Sequence, residues 1–262
     1  MNNLNHKIYS LQNQEGSNIL TFASGKGGVG KTWLATTIAD NLGKKKKKIL
    51  LFDGDLGLAN IDIQLGINPD KDLAGVIMKR YSFEEAIINL NEINFDLIAG
   101  KSGSGVISSL EMTKITSLKN ELIKQSKFYD YVIIDLAAGI DNPIRALTSQ
   151  NGTVYIITTS DPTSLTDAYA FIKLTTMKYP NIAIKVIVNM ASSNREGLET
   201  FNTLFKSCLN FLKINIELSG IVRSDKNVRE AIKNQKLFLK SYPYSNAAKD
   251  IEILCKKIAS DE

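Results

Sequence analysis

The stretch Ile19-Leu20-Thr21-Phe22-Ala23-Ser24-Gly25-Lys26-Gly27-Gly28-Val29-Gly30-Lys31-Thr32 decides the fold. An apolar run, a glycine-rich turn and then helical periodicity over 32–42 predict a strand, a loop and a helix in immediate succession. The spacing G-x-x-x-x-G-K-[ST] is met by Gly25, Gly30, Lys31 and Thr32. Glycines let successive N–H groups converge on an anion, and the helix N-terminus adds the positive end of its dipole. Lys31 is then placed to bridge the β- and γ-phosphates of a nucleotide, and the Thr32 hydroxyl to ligate Mg²⁺. A glycine-rich turn by itself can be only a tight connection; the full spacing in this context argues for phosphate.

Working outward, runs rich in branched apolar residues recur at 49–52, 95–99, 131–134, 153–158, 182–188 and 216–222. They are nearly continuous rather than alternating, as in strands covered on both faces, and helical periodicity fills most of the gaps. This predicts an α/β fold with a mostly parallel central sheet flanked by helices on both faces. Asp161-Pro162 reads as an N-cap with proline at the first helical position, opening a helix toward Lys178 that Pro180 ends. Apolar residues at 247, 251, 254, 255 and 258 predict a last core helix. Membrane docking of that stripe is the weaker reading, because it lacks aromatics and Asp250 and Glu252 share its polar face. No repeat or composition break divides the chain, so we expect a polar leader over 1–17 and one domain over 18–262.

Two carboxylates one residue apart, Asp53 and Asp55, follow the second strand, where an α/β sheet opens its ligand crevice. Asp55 is the candidate for orienting an attacking water, with Asp53 supporting the metal or a dimer contact. The run 131–134 ends in Asp135, the position of a Mg²⁺ carboxylate in such a site. Asn189 closes the run 182–188 with an amide that offers a base edge both a donor and an acceptor; an ordinary strand-end turn would use the same residue.

The bulk numbers narrow the field. At 262 residues and 44% hydrophobic the chain can bury a substantial core. Its net charge of +5 equals the contribution of the lysine run 44–48, which reads as a solvated turn, with a phosphate or headgroup contact as the alternative. Cys208 and Cys255 are far apart and each lies in an apolar helical pattern, so neither a disulfide framework nor a metal knuckle is expected. No stretch approaches the roughly 20 apolar residues of a membrane span, and 1–17 has no apolar signal core. A cytoplasmic protein is expected. The one histidine, His6, lies in the leader and is given no role; Trp33, directly after the loop threonine, reads as helix packing.

Lys26 is not needed to cradle phosphates within one chain. With it, Gly25-Lys26-Gly27-Gly28-Val29-Gly30-Lys31-Thr32 resembles the deviant Walker A loop of the MinD/ParA superfamily of P-loop NTPases. The resemblance implies ATP/ADP and Mg²⁺ as cofactors, ATP hydrolysis, and a homodimer that closes on ATP with Lys26 reaching the partner's phosphates. On it, Lys26, Lys31 and Asp55 form the catalytic set, Thr32, Asp53 and Asp135 the metal set, and Asn189 binds the base. Leu136-Ala137-Ala138-Gly139-Ile140 matches the superfamily's γ-phosphate switch, with Leu136 where Ser or Thr is usual. Gly220-Ile221-Val222-Arg223-Ser224-Asp225 matches a base-contacting segment with Val222 in place of proline, which adds Arg223 and Asp225 as base contacts.

Three further segments, 52–62, 97–103 and 161–169, are similar to the FlhG (FleN/YlxH) group of that superfamily, and the similarity spans about residues 18–258. It implies regulation of flagellar number or placement. The partners implied are the GTPase FlhF, flagellar switch-ring proteins or a flagellar transcription regulator, with transient contact at the inner face of the membrane or cell pole and no sequence-specific nucleic acid. Asp167 and Tyr169 serve either packing or an interface. Two departures stand out. The leader reads Asn5-His6-Lys7-Ile8-Tyr9-Ser10-Leu11 where the group has Asp-Gln-Ala-x-x-Leu-Arg, which puts GTPase activation in doubt, and no basic amphipathic helix follows 247–258. The alternatives are a positioning ATPase acting on DNA or the division site, and an ATP-binding scaffold with little hydrolysis. An iron–sulfur carrier is disfavoured, since the sequence has no Cys-x-x-Cys.

Overall fold

The structure, a computed structural model, describes residues 15–55, 59–89, 93–100, 111–141, 145–148 and 151–260. Most of the expected leader, including His6, therefore lies outside the described residues, as do 56–58 and 101–103 of the two FlhG-like segments.

Eight strands form one sheet: β1 (Ile19–Ala23), β2 (Ile49–Gly54), β3 (Ile88–Asn89), β4 (Asp96–Ile98), β5 (Tyr131–Leu136), β6 (Thr153–Thr158), β7 (Ala183–Ala191) and β8 (Glu217–Arg223). Their order is β3-β4-β2-β5-β1-β6-β7-β8. All neighbours pair in parallel except the edge strand β3, which runs antiparallel to β4. Of the runs expected from sequence, 19–23 and 153–158 are reproduced without change, and the others move by one to three residues at one or both ends. β3 was not expected, because a two-residue strand leaves no periodic signal.

Alternate residues of each central strand enter different cores. Val132 and Ile134 face a layer with α3 (Leu73–Ile77), α4 (Met112–Gln125), α5 (Pro162–Lys178) and α6 (Asn194–Ser207). Tyr131 and Ile133 face α1 (Lys31–Lys44), α2 (Ile61–Leu65), α7 (Lys226–Lys233), α8 (Phe238–Ser241) and α9 (Asn246–Ser260). Burial on both faces is why the strand runs are continuous in sequence. From β1 the chain goes out to β2 and β4, returns through β5 and crosses to β6 on the other side. The carboxyl end of β1 is therefore a topological switch point, where such sheets open a crevice.

The lysine run is a turn with matched charges. Lys44 pairs with Asp40 at 2.7 Å, Lys45 with Glu252 at 3.0 Å and Lys47 with Asp130 at 3.6 Å, while Lys48 lies 4.7 Å above the Tyr129 ring. In α9 the expected stripe of Ala247, Ile251, Leu254, Cys255 and Ile258 is buried, so it belongs to the core. Asp250, expected on the polar face, is instead buried and accepts from Arg223 on β8 at 2.8 and 2.9 Å. Burial pushes the thiols of Cys208 and Cys255 up to about 11 and about 12, and both are free.

The packing of α9 gives a paired prediction. Leu254 is buried and Ile253, its neighbour, is 67% exposed. Leu254→Ala should cost about 2–5 kcal/mol by urea unfolding. Ile253→Ala should stay within about 0.5 kcal/mol of the parent.

Candidate nucleotide site

The loop after β1 needs its glycines. Gly28 and Gly30 have φ of 80° and 82°, in the left-handed region, and Gly30 caps α1. A Cβ on Gly25 would sit 2.4 Å from the backbone oxygen of Asp167, so the loop lies directly beneath α5. The Ser24 hydroxyl donates to Lys26 O at 3.0 Å, and Gly139 N donates to Ser24 O at 2.9 Å. The second bond draws 137–139, beyond β5, against the base of the loop.

Strand register assembles the acids. Asp135 on β5 lies opposite Phe22 of β1 on one side and Asp53 of β2 on the other. Lys31, which begins α1, donates to Asp135 Oδ1 at 2.7 Å with both side chains buried. Burial raises the Asp135 carboxyl above its ordinary range, against the pull of Lys31 and the Thr32 hydroxyl. Asp53 is pushed up to about 7 by burial first and the neighbouring Asp135 second.

Asp53 acts on the loop that carries Asp55. Its Oδ1 accepts from Asp55 N at 3.1 Å, and its Oδ2 from Asn60 N and Ile61 N, each at 3.2 Å. These three amide contacts tie Asp55, Asn60 and Ile61 to the end of β2 through the carboxylate expected to support the metal. Asp55 itself is partly exposed at the end of this strand.

The Mg²⁺ set can be tested on what remains. Asp135 Oδ2 is buried and has no hydrogen-bond partner, beside the Thr32 hydroxyl. An acceptor left over next to a glycine cradle suits a cation that arrives with phosphate. Among the described residues no group of three or more His, Cys, Asp or Glu side chains forms a metal cage. Mg²⁺ needs none, since it commonly takes one or two protein ligands and completes its shell with phosphate and water.

A cavity of about 400 Å³ continues from the loop, with Gly30, Trp33, Asn189, Met190 and Arg229 in its wall. Asn189 does not close its strand, as expected from sequence: β7 continues to Ala191 through a register shift against β8. Met190 there has φ of 58°. Such a bulge re-aims side chains, and here Asn189 Nδ2 donates to Val29 O at 2.8 Å. Arg223 and Asp225 also line the cavity, but both are engaged: Arg223 with Asp250, and Asp225 as the N-cap of α7, accepting from Asn227 N at 3.0 Å. Trp33 is buried with its ring edge-on to Phe238, 5.2 Å between centroids, so it packs α1 and walls the cavity at once.

Lys26 turns to its own chain. Its Nζ lies 2.9 Å from Asp161 Oδ2 and 2.5 Å from Thr163 Oγ1 at the start of α5, and is partly exposed. Sequence reading placed Asp161 as the cap of α5, and it does accept from Thr163 N at 2.9 Å, but gave no hint of this lysine. Met190 and Arg229 were missed as cavity residues too, because nothing in their local pattern marks a wall built from separate elements.

A family model named ParA, described as "NUBPL iron-transfer P-loop NTPase", matches residues 15–259. The chain belongs to this ParA family of P-loop NTPases. Antiactivator FleN of Pseudomonas aeruginosa is 31% identical over 92% of this chain and 86% of its own length. The flagellum site-determining protein YlxH of Helicobacter pylori is 28% identical over 99% of this chain and 87% of its own. Among solved structures, the cell division ATPase MinD of Pyrococcus furiosus superposes with a TM-score of 0.79 at 23% identity, covering 94% of this chain and 100% of that one. MinD of Pyrococcus horikoshii, complexed with Mg-ADP, gives 0.77 at 22% identity, covering 92% and 95%. As a ParA-family P-loop NTPase, the protein is an ATPase. Its two cysteines, buried and on separate elements, provide no thiol pair for iron transfer.

The contact between Lys26 and α5 gives a titration to measure. Hydrogen bonds from Lys26 and Thr163 hold the Asp161 carboxyl at about 2, below its ordinary value of 3.8. Carboxyl ¹³C NMR should show Asp161 ionised down to roughly that pH. In Lys26→Ala its midpoint should move up toward 3.8, since the largest cause of the depression is removed; an unmoved midpoint would mean that the pair does not persist in solution.

Proposed function

We propose that the protein is an FlhG-like switch ATPase that dimerises on ATP, regulates flagellar number or placement, and resets by hydrolysis. Similarity to FleN and YlxH over nearly the whole chain carries the flagellar part. Lys26 carries the switch: it stands at the rim of the phosphate loop, held on the surface of α5 instead of inside its own phosphate site. Homodimerisation and the partners named above follow from that reading. FlhF, switch-ring proteins or a flagellar transcription regulator are candidates for what the dimer contacts.

The residues divide the work as follows. Incoming phosphates draw Lys31 away from Asp135, so one lysine exchanges one anionic partner for another. Thr32 and the released Asp135 would hold Mg²⁺, which would supply positive charge to neutralise the phosphates. Asp55 orients the attacking water and accepts its hydrogen bond, while Asp53 keeps the Asp55 loop closed through its three amide contacts. The water oxygen bonds to γ-phosphorus as the bridging bond to the β-phosphate breaks. Lys31, together with Lys26 of a second copy, stabilises the charge on the transferring group. With Nδ2 committed to Val29, Asn189 offers Oδ1 as an acceptor, which suits the amino group of adenine.

A second reading, an ATP-binding scaffold with little hydrolysis, is favoured by one observation. Leu136, where relatives of this kind carry a hydroxyl, is fully buried in the core and brings no polar group to the switch.

Light scattering with ADP and with a nonhydrolysable ATP analogue tests the dimer, and phosphate release tests turnover. The parent should double its mass only with the analogue, and Lys26→Ala should remain monomeric with either nucleotide. Asp55→Ala should still dimerise while turnover falls by about 10²-fold or more. Turnover in Asp55→Ala equal to the parent's would remove Asp55 from the mechanism; a parent that is monomeric in both nucleotides would remove Lys26.

A further inference from the structure

Arg145 is a buried arginine with no place in the nucleotide chemistry above. Only 8% of its surface is exposed. A guanidinium leaves water at considerable cost unless its N–H groups find acceptors. Here two of them find carbonyls on separate parts of the fold. Nε donates to Ile140 O at 2.9 Å, and Nη1 donates to Leu174 O, in α5, at 2.9 Å. The backbone of Arg145 is fixed as well: its N–H donates to Asp141 O at 3.2 Å, and its carbonyl accepts from the N–H and hydroxyl of Thr148.

The two acceptors belong to elements that both touch the phosphate loop. Ile140 follows Gly139, whose N–H is bonded to Ser24 O at the base of the loop. α5 begins at the Asp161 and Thr163 contacts of Lys26 and passes over Gly25 at Asp167. Leu174 lies roughly 16 Å farther along the helix axis than Thr163 at 1.5 Å per residue. So α5 is tied to the nucleotide site at its first turn through Lys26 and again near its far end through Arg145 and 137–140.

We propose that Arg145 is a positioning residue for phosphoryl transfer: its guanidinium fixes the segment 137–140 against α5. The segment then meets the γ-phosphate in one place, and any shift of it is passed to α5. A planar fork with several donors can bridge two carbonyls at once, which a lysine ammonium at the same backbone position reproduces poorly. Hydrogen bonds weaken steeply with lost alignment, so a small displacement of Ile140 is felt at Leu174. The inference rests on the reading of 137–140 as the segment beside the γ-phosphate.

The test uses the full chain with Arg145→Lys and Arg145→Ala, and with Asp55→Ala as a reference. Both Arg145 variants should bind fluorescent ADP within about twofold of the parent, while kcat at saturating ATP falls about fivefold or more. Guanidinium at millimolar concentration should restore part of the kcat of Arg145→Ala, and methylammonium should not. A kcat within about twofold of the parent in both variants overturns the proposal. So does a parallel loss of ADP affinity and kcat that guanidinium leaves untouched, which is what local unfolding would give; melting curves on Arg145→Lys, which keeps the charge and most of the stem, identify that case. Turnover in Asp55→Ala equal to the parent's would point to failure of the ATPase mechanism itself, which a loss confined to the Arg145 variants would not.

Discussion

The ion pair between Lys31 and Asp135 is the constraint around which the rest of the molecule is arranged. Both side chains are buried, 2.7 Å apart, at the end of a sheet whose central strands are mostly apolar. Either charge alone would cost several kcal/mol in that setting. Together they hold α1 and β5 in a fixed relation, and β1 between them sets where the loop can go. The same register places Asp53 next to Asp135, and two carboxyls so close in a low-dielectric site cannot both ionise cheaply. Burial first, and this neighbour second, keep Asp53 up near 7 against the pull of the backbone amides that donate to it. The ion pair is also exchangeable. In the proposed mechanism a phosphate would offer Lys31 a competing anion, and Asp135, whose Oδ2 already stands without a hydrogen-bond partner, would be left to a cation.

Much of this was legible in the sequence wherever function and local pattern coincide. The loop glycines, Lys31, Thr32 and Asp135 lie within short motifs whose spacing is dictated by backbone geometry, and the structure brings all of them together. The strands announced themselves because both faces of the sheet are covered. What was not legible depends on contacts between segments distant in the chain. Asn189 read as a strand end because a bulge has no compositional signature, and Asp250 read as surface because its partner Arg223 lies 27 residues away on β8. The backbone contacts of Asp53 were hidden for a related reason: two acids one residue apart resemble a metal pair, and only the fold shows one of them also accepting from the amides of 55, 60 and 61.

The segment 161–169 illustrates how a sequence signal can be right in place and incomplete in meaning. Its Asp-Pro start was read as a helix cap, and the cap exists. The same carboxylate also receives Lys26, so a residue that starts a helix is at once the resting place of the lysine that distinguishes this loop. Capping and pairing use different oxygens, Oδ1 for Thr163 N and Oδ2 for Lys26, and do not compete. α5 can therefore keep its N-terminus while Lys26 leaves.

That separation bears on how a switch of this kind can work at modest energy. Lys26 and Asp161 are both partly exposed, and solvent screens such a pair, so in the proposed switch the lysine would leave α5 for a phosphate at little cost. Lys31 and Asp135 are buried, and their separation must be matched by a phosphate arriving in the same step. One lysine is thus held weakly at the rim and the other strongly in the interior. In the proposed switch the interior contact would answer to nucleotide, and the rim contact to a partner approaching α5. In that proposal, the difference in burial between two lysines five residues apart would divide nucleotide binding from the events that follow it.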